Sequence, residues 1–428
     1  MQLSRFCRAA RLFAALAAAA GAFLSASEPV AHAQTARFDT THSLYYEAPL
    51  RSRMMVYTPG ADLQVTPAEF LDVRAGWEAD VVSGASVATK AGGAYQANNA
   101  AADVVTTASV KDVRNVAKGG FTLRNREVSL TGGYLYGTEN DYRSHSLAVG
   151  AKVDLWGKNT TFRLGYSRAW DTTCDIDNRG AVPLERRALG SSDGCFEHKA
   201  TGLRLEPLTI NGYSVGWTQV ISPIVLSDLA ASFQVSDGFQ SNPYRRVRLF
   251  FGTVEAQESH PLLRQRVAIS GRMLFAIKRI RGALGAMARF YWDTWGIKSG
   301  TGEITYDQWL GSSLLLKLRA RFYQQSRAVF YRDAGEDLSY EAVGPAGQYF
   351  SGDREMSPFR NWLFGLKLTY TKSAGEKGRI IKLFEAVDLH VRLDLMSYQA
   401  LTPLPPNAQR SEGAIDAVVI QLGAILKF

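Results

Sequence analysis

Two places in this chain set a histidine among groups that could work with it. One is Ser144-His145-Ser146 with Asp141 just before it; the other is His390, which shares an alternating polar face with Asp388 and Asp394. A serine hydrolase needs a hydroxyl, an imidazole and a carboxylate within hydrogen-bond reach of one another. Neither stretch carries a nucleophile motif, and His42, His198 and His260 stand far apart in the sequence. No catalytic residue is assigned and no cofactor is expected. The chain is read as a non-enzyme whose histidines belong to charge networks. Asp175-Ile176-Asp177-Asn178-Arg179-Gly180 resembles the opening of a calcium loop but lacks its third oxygen ligand and closing Glu, so no metal site is expected.

Cys174 and Cys195 lie in a polar stretch, 171–198, while the third cysteine, Cys7, sits in the basic part of a leader. There Arg5, Arg8 and Arg11 flank the start of an apolar run from Leu12 to Leu24, and Ala31-His32-Ala33 makes a small-x-small cleavage site. Residues 1–33 read as a signal peptide, with the exported chain beginning near Gln34. Export carries Cys174 and Cys195 into an oxidising compartment. There a disulfide closing a loop of about 20 residues contributes about 3 kcal/mol and marks an exterior loop.

Composition leaves the fold class to periodicity. Apolar residues make up 46% and charged residues 21%, which suits a soluble protein and equally a membrane barrel, where only every second strand residue meets lipid. Beyond the leader no run of about 20 residues is both uncharged and apolar: the uncharged stretch 207–227 is interrupted by Asn211, Ser214, Thr218, Gln219, Ser222 and Pro223, which argues against a spanning helix. The leader holds Arg5, Arg8, Arg11 and Glu28, so its removal takes two units from the formal charge of +9. The remaining excess serves solubility or a cation-rich interior. Val387, Leu389, Val391, Leu393 and Leu395 alternate with Asp388, His390, Arg392 and Asp394. Val267, Ile269, Met273 and Phe275 alternate in the same way with Arg264, Arg266, Ser270 and Arg272.

Such segments, about 10 to 15 residues long, are long for a sandwich and suit tilted membrane strands. Short turns, among them one around Leu318, alternate with long polar loops such as 172–206, 236–260 and 332–357. The rhythm predicts an all-β, transmembrane, antiparallel up-and-down barrel with short periplasmic turns and long outer loops. Counting back from Phe428 gives twelve strands: 124–137, 143–156, 160–171, 207–221, 224–235, 261–278, 283–296, 304–317, 319–331, 358–371, 382–396 and 413–428. An earlier hairpin, 51–58 and 70–83, raises the count to 14, which is favoured over 12. The barrel is thus expected over 51–428, after a periplasmic N-terminal segment 34–50. Aromatics including Trp156, Trp170, Trp217, Trp295, Phe330, Tyr331 and Trp362 are expected in two interfacial girdles. The Ala/Gly-rich stretch 84–123 falls on the periplasmic side in this count, as a mobile loop, a lumen constriction or a dock for a periplasmic partner.

The inward faces gather the residues that could handle a solute. Candidate lumen-lining residues are Arg264, Arg266, Arg272, Arg289, Arg321, Arg327, Arg392, Asp293, Asp388 and Asp394. Such mixed charges pair across strands, or they select a small anionic or polar solute by attraction and bidentate contacts. At the chain end, Leu422, Leu426 and Phe428 read as the signal by which barrel-insertion machinery selects its clients. Basic residues spread over alternate strand positions rather than one aromatic-rich patch, so nucleic-acid binding is set aside.

Several segments occur in one order: Asp80-Val-Val-Ser-Gly-Ala-Ser86, Glu139-Asn-Asp-Tyr-Arg-Ser144, Lys158-Asn-Thr-Thr161, Asn242-Pro-Tyr-Arg-Arg246, Arg289-Phe-Tyr-Trp-Asp-Thr-Trp295 and Arg321-Phe-Tyr-Gln-Gln-Ser-Arg-Ala-Val-Phe-Tyr331. Over roughly 45–428 this resembles a family of proteobacterial outer-membrane barrels catalogued as a domain of unknown function. The resemblance implies location in the outer membrane of a Gram-negative bacterium, among its lipids, but no activity. Relatives encoded near thioredoxin-like proteins and a flavin transferase hint at periplasmic redox work. The expected role is a channel or transporter for small polar or anionic solutes. The alternatives are an interaction barrel docking a periplasmic, redox-linked partner through 84–123, and an outer-membrane hydrolase, which the missing nucleophile motif disfavours.

Overall fold

The structure is a computed structural model. It describes residues 35–428 apart from 48–53, 84–103, 106–110, 140, 177–202, 243–245, 250–253, 332–348, 375–379, 381–382 and 402–414. The strands are β1 (Thr35–Glu47), β2 (Met55–Ala68), β3 (Leu71–Ser83), β4 (Val104–Val105), β5 (Lys111–Arg124), β6 (Val128–Thr138) and β7 (Tyr142–Leu155). There follow β8 (Thr160–Ile176), β9 (Leu203–Ser222), β10 (Val225–Gly238), β11 (Arg246–Leu249), β12 (Val254–Gln257) and β13 (Leu263–Ile277). The chain ends with β14 (Gly282–Asp293), β15 (Lys298–Leu310), β16 (Leu314–Gln325), β17 (Phe359–Ser373), β18 (Ala386–Ala400) and β19 (Ala417–Lys427).

All but β4, β11 and β12 join in a closed antiparallel barrel of 16 strands. Successive barrel strands pair with one another, and β19 pairs back onto β1 from Arg37↔Lys427 to Glu47↔Ala417. Closure leaves no unpaired edge, the condition for strands to cross a hydrocarbon layer. The outer wall is apolar: Leu164 and Phe290 are 63% exposed, Ile304 is 60% and Leu422 50%. An apolar face of that extent in water would be unstable against association, and it matches the lipid-facing band of a barrel.

The two rims differ. At one end, turns are tight: the β7–β8 turn is made by Trp156, Gly157 and Lys158, all with positive φ, and the β15–β16 turn by Gly311 at φ 70. At the other end lie the long connections. Part of that rim folds into its own core of Trp295, Ile297, Ala328, Phe330, Tyr331 and Met356. Trp295, Phe330 and Tyr331, expected in the girdles, are buried in this cap, whereas Trp156, Trp170, Trp217 and Trp362 do face outward and are exposed.

The strand count corrects the sequence reading: 16, neither 14 nor 12. Residues 34–50, expected to precede the barrel, contain β1, the strand that closes it. The stretch 84–123 was expected to be a periplasmic-side connection throughout, yet its last part is barrel strand β5, paired with β3 and β6. Its ends leave β3 and enter β5 at the rim of long connections. There Val104–Val105 bonds to β11, and β11 to β12, in a small separate sheet. Since β3/β5 and β10/β13 stand far apart in the ring, that pairing joins connections from distant arcs of the rim. The turn expected around Leu318 is the middle of β16; the chain turns at 311–313 instead.

Candidate functional site

Strand pleat sends alternate side chains to opposite faces, and cross-strand register places each candidate. Arg264, Arg266 and Arg272 of β13 lie on the face opposite lipid-facing Ile269 and Met273. Arg289 and Asp293 of β14, Arg321 of β16, and Asp388, Arg392 and Asp394 of β18 lie on the same lumen face. Arg327 does not: β16 ends at Gln325, and Arg327 is an exposed residue of the connection after it. Sequence reasoning missed Glu303, Lys317, Arg319 and Lys367, which share that face. The misplaced turn at Leu318 broke the alternation there, although Leu310-Gly311-Ser312-Ser313 carried a turn signal.

The lumen wall is uneven. Along β5 to β9 it is built from small residues, with Gly120 opposite Gly133, Ala148 opposite Ser167, and Ser167 opposite Gly212. Charges on this arc are paired, as in Arg163–Asp228 at 2.5 Å and Lys118–Asp62 at 3.1 Å. The arc from β13 to β18 is bulky and charged. Arg264 donates to Asp293 through Nη2 at 2.6 Å and Nε at 2.9 Å, and Tyr291 donates its hydroxyl to the same oxygen at 2.7 Å. The Arg264 guanidinium also stacks over Trp295, 4.0 Å from the ring centre, which ties the lumen wall to the cap. Below it Arg321 reaches Glu303 at 2.7 Å, while Arg319 and Arg392 both bind Asp394, at 2.9 and 2.5 Å.

Other cations make no ion-pair contact: Arg272 lies directly opposite Asp228 and Arg266 opposite Asp293 without reaching them, and Arg289 lies opposite Ser270 and Thr301. Arg266 donates to Gln234 and Ser236 at 3.2 Å each, and Arg272 and Arg289 are exposed. Among the described residues no Asp or Glu lies within ion-pair distance of these three arginines or of Lys367. Charge outside ion-pair contact on the lumen face can attract a solute.

Among the described residues no histidine ring is hydrogen-bonded to both a serine hydroxyl and a carboxylate. His42 and His145 stand on the outer face, each hydrogen-bonded to a tyrosine: His42 to Tyr57 at 2.7 Å and His145 to Tyr134 at 2.6 Å. His260 is buried in the cap between Trp295 and Phe330, 3.7 Å from Glu258. Ser351 donates to Glu258 at 2.9 Å, the wrong order for a Ser-His-acid relay, which needs serine on the imidazole. His198 lies outside the described residues. No group of three or more His, Cys, Asp or Glu is placed to hold a metal among the described residues. Cys174 is buried at the end of β8 and is not free; Cys195 and residues 177–180 of the calcium-like stretch lie outside the described residues.

A closed barrel with an apolar exterior and a charged, uneven lumen defines the class, a membrane-spanning β-barrel. The chain belongs to the family described as "Protein of unknown function (DUF3570)", whose model matches residues 7–383. No curated protein matches it in sequence. Among solved structures it is similar to a bacterial polysaccharide outer membrane secretin, with 9% identity, TM-score 0.46, and 92% of this chain and 98% of that one covered. It is also similar to Pseudomonas aeruginosa OccK5 (OpdH), with 12% identity, TM-score 0.39 and the same two coverages. Pseudomonas aeruginosa OccK2 (OpdF), solved in complex with glucuronate, matches with 8% identity and TM-score 0.41, again over 92% and 98%. Likeness of this degree gives neither cargo nor activity.

Proposed function

We propose that this chain is an outer-membrane barrel of a Gram-negative bacterium through which small anionic or polar solutes pass, with unpaired arginines on β13 and β14 setting selectivity. The observation that carries this reading is the solvent-exposed pair Arg272 and Arg289 on the lumen face: neither is in ion-pair contact with a described carboxylate, and Asp228, directly opposite Arg272, is held by Arg163 at 2.5 Å. The small-residue arc on the other side of the lumen leaves room for passage. Planar-bilayer recordings should show an anion-preferring conductance, reversed by Arg272→Glu with Arg289→Glu. No conductance, or a cation preference indifferent to both changes, would sink the reading.

On this reading the tight turns are periplasmic and the long connections external, as in barrels of this kind. Leu422 and Leu426 face lipid from β19, and Phe428 packs edge-on to Phe384 at 5.1 Å, an ending suited to insertion machinery. A periplasmic partner, the alternative role, would meet the tight-turn rim, where 374–385 is the longest connection, rather than 84–123. We further propose a Cys174–Cys195 disulfide in the connection after β8. Peptide mapping without reduction should recover the two cysteines linked; alkylation of both in the native, unreduced protein would overturn the bridge.

A further inference from the structure

Three cations stand directly opposite one another on the lumen side of adjacent strands: Lys317 of β16, Lys367 of β17 and Arg392 of β18. Side chains in such pairs sit about 5 Å apart at Cβ, and like charges so placed destabilise a sheet. A row of three breaks a local rule of folding, and such breaks gather at functional positions.

The surrounding carboxylates do not neutralise the row. Lys317 is 3.3 Å from Asp307, and Arg392 is 2.5 Å from Asp394, but Asp394 is shared with Arg319 at 2.9 Å. Lys367, the middle member, is half-buried and meets no carboxylate among the described residues. With Arg321 and Glu303 included, the five cations Lys317, Arg319, Arg321, Lys367 and Arg392 meet three carboxylates, Glu303, Asp307 and Asp394. Two positive charges are left over. Asp388 lies four residues further down β18, towards the tight-turn rim.

Neutral hydrogen-bonding groups extend the row across the seam, Gln421 opposite Arg392 and Ser43 opposite Gln421. Two glycines clear its flanks. A Cβ at Gly365 would stand 2.3 Å from Asp394 Oδ1, and one at Gly423 would stand 2.4 Å from the His390 ring. The carboxylate and the imidazole therefore lie over bare backbone, flat against the wall.

We infer that Lys317, Lys367 and Arg392 form a binding site for a small dianion, a dicarboxylate or a phosphate, on the lumen wall. The site rests on the reading of the lumen as a solute path and names the class of solute that path favours. Its charge matches the local excess, and its span across adjacent strands suits an anion with two charged ends or several oxygens.

Calorimetric titration of the purified, folded barrel in detergent tests this with succinate, inorganic phosphate, acetate and sodium chloride. Saturable binding of succinate or phosphate is expected, with acetate and chloride far weaker. The dianion that binds separates the dicarboxylate source from the phosphate source. Lys367→Gln should weaken that binding about tenfold or more, a loss of about 1.4 kcal/mol. Lys317→Gln should weaken it in the same direction. Without dianion, Lys367→Gln should unfold no more easily than the parent, because it relieves repulsion. No saturable dianion binding, acetate binding as tightly as succinate, or a less stable Lys367→Gln barrel would each overturn the site. Titration without conductance would leave the site standing and remove the passage; anion-selective conductance without titration would do the reverse.

Discussion

Asp394→Ala should lower the stability of the barrel by about 3 kcal/mol or more, the cost of stripping a buried carboxylate from its cations. Asp394 is 1% exposed and binds both Arg319, at 2.9 Å, and Arg392, at 2.5 Å, whose side chains are 17% and 33% exposed; Glu303 comes no nearer to Arg319 than 4.0 Å. Removing it leaves two partly desolvated guanidinium groups beside Lys367 and Lys317, all cations. Asp394→Asn keeps the shape and loses the charge, so it should cost nearly as much. Guanidinium unfolding of the barrel in lipid vesicles, followed by tryptophan fluorescence, measures the difference. A loss under about 1 kcal/mol would mean that these pairs behave like exposed surface ion pairs.

The second large effect belongs to the cap. Trp295 is 2% exposed, holds the Arg264 guanidinium against its face and makes edge contacts with His260 and Phe330. Its indole nitrogen donates to the Leu263 carbonyl at 3.2 Å. Trp295→Ala should cost about 3–5 kcal/mol of packing, and the loss should fall on the rim of long connections. Limited proteolysis is expected to cut the connections around 294–297 and 326–331 while the folded barrel keeps its compact electrophoretic mobility. Melting of the whole barrel together with the cap would instead make the two one cooperative unit.

The sequence revealed the alternation of the strands near the C-terminus because their outward residues, such as Leu389, Val391 and Leu393, are uniformly large and apolar. It failed where that face is mixed. On β5 the outward positions include Asn115, Ala117 and Gly119 before Phe121 and Leu123. On β1 they include Thr40 and His42, which hydrogen-bond to each other at 3.3 Å and so carry their polarity on the outer wall. The first strand of the early hairpin was expected to stop at residue 58, yet Pro59 and Gly60 lie within β2, where Pro59 pairs in register with His42. The arginines of β13 were legible from spacing alone, whereas the row through Lys317, Lys367 and Arg392 depends on the register of three strands. The connections between those strands, 326–358 and 374–385, are too long for a tight turn to fix that register.

The seam between β1 and β19 has a consequence for biogenesis. Its pairs, such as Phe38↔Leu426, join the first and last strands of the barrel, the greatest sequence separation of any strand pairing in the ring. No partial product of synthesis can close the ring. Until β19 has been made, β1 lacks one of its two neighbours, and that raw edge is a template for aggregation. Shielding β1 from the moment it emerges is therefore a requirement on any chaperone that escorts this protein.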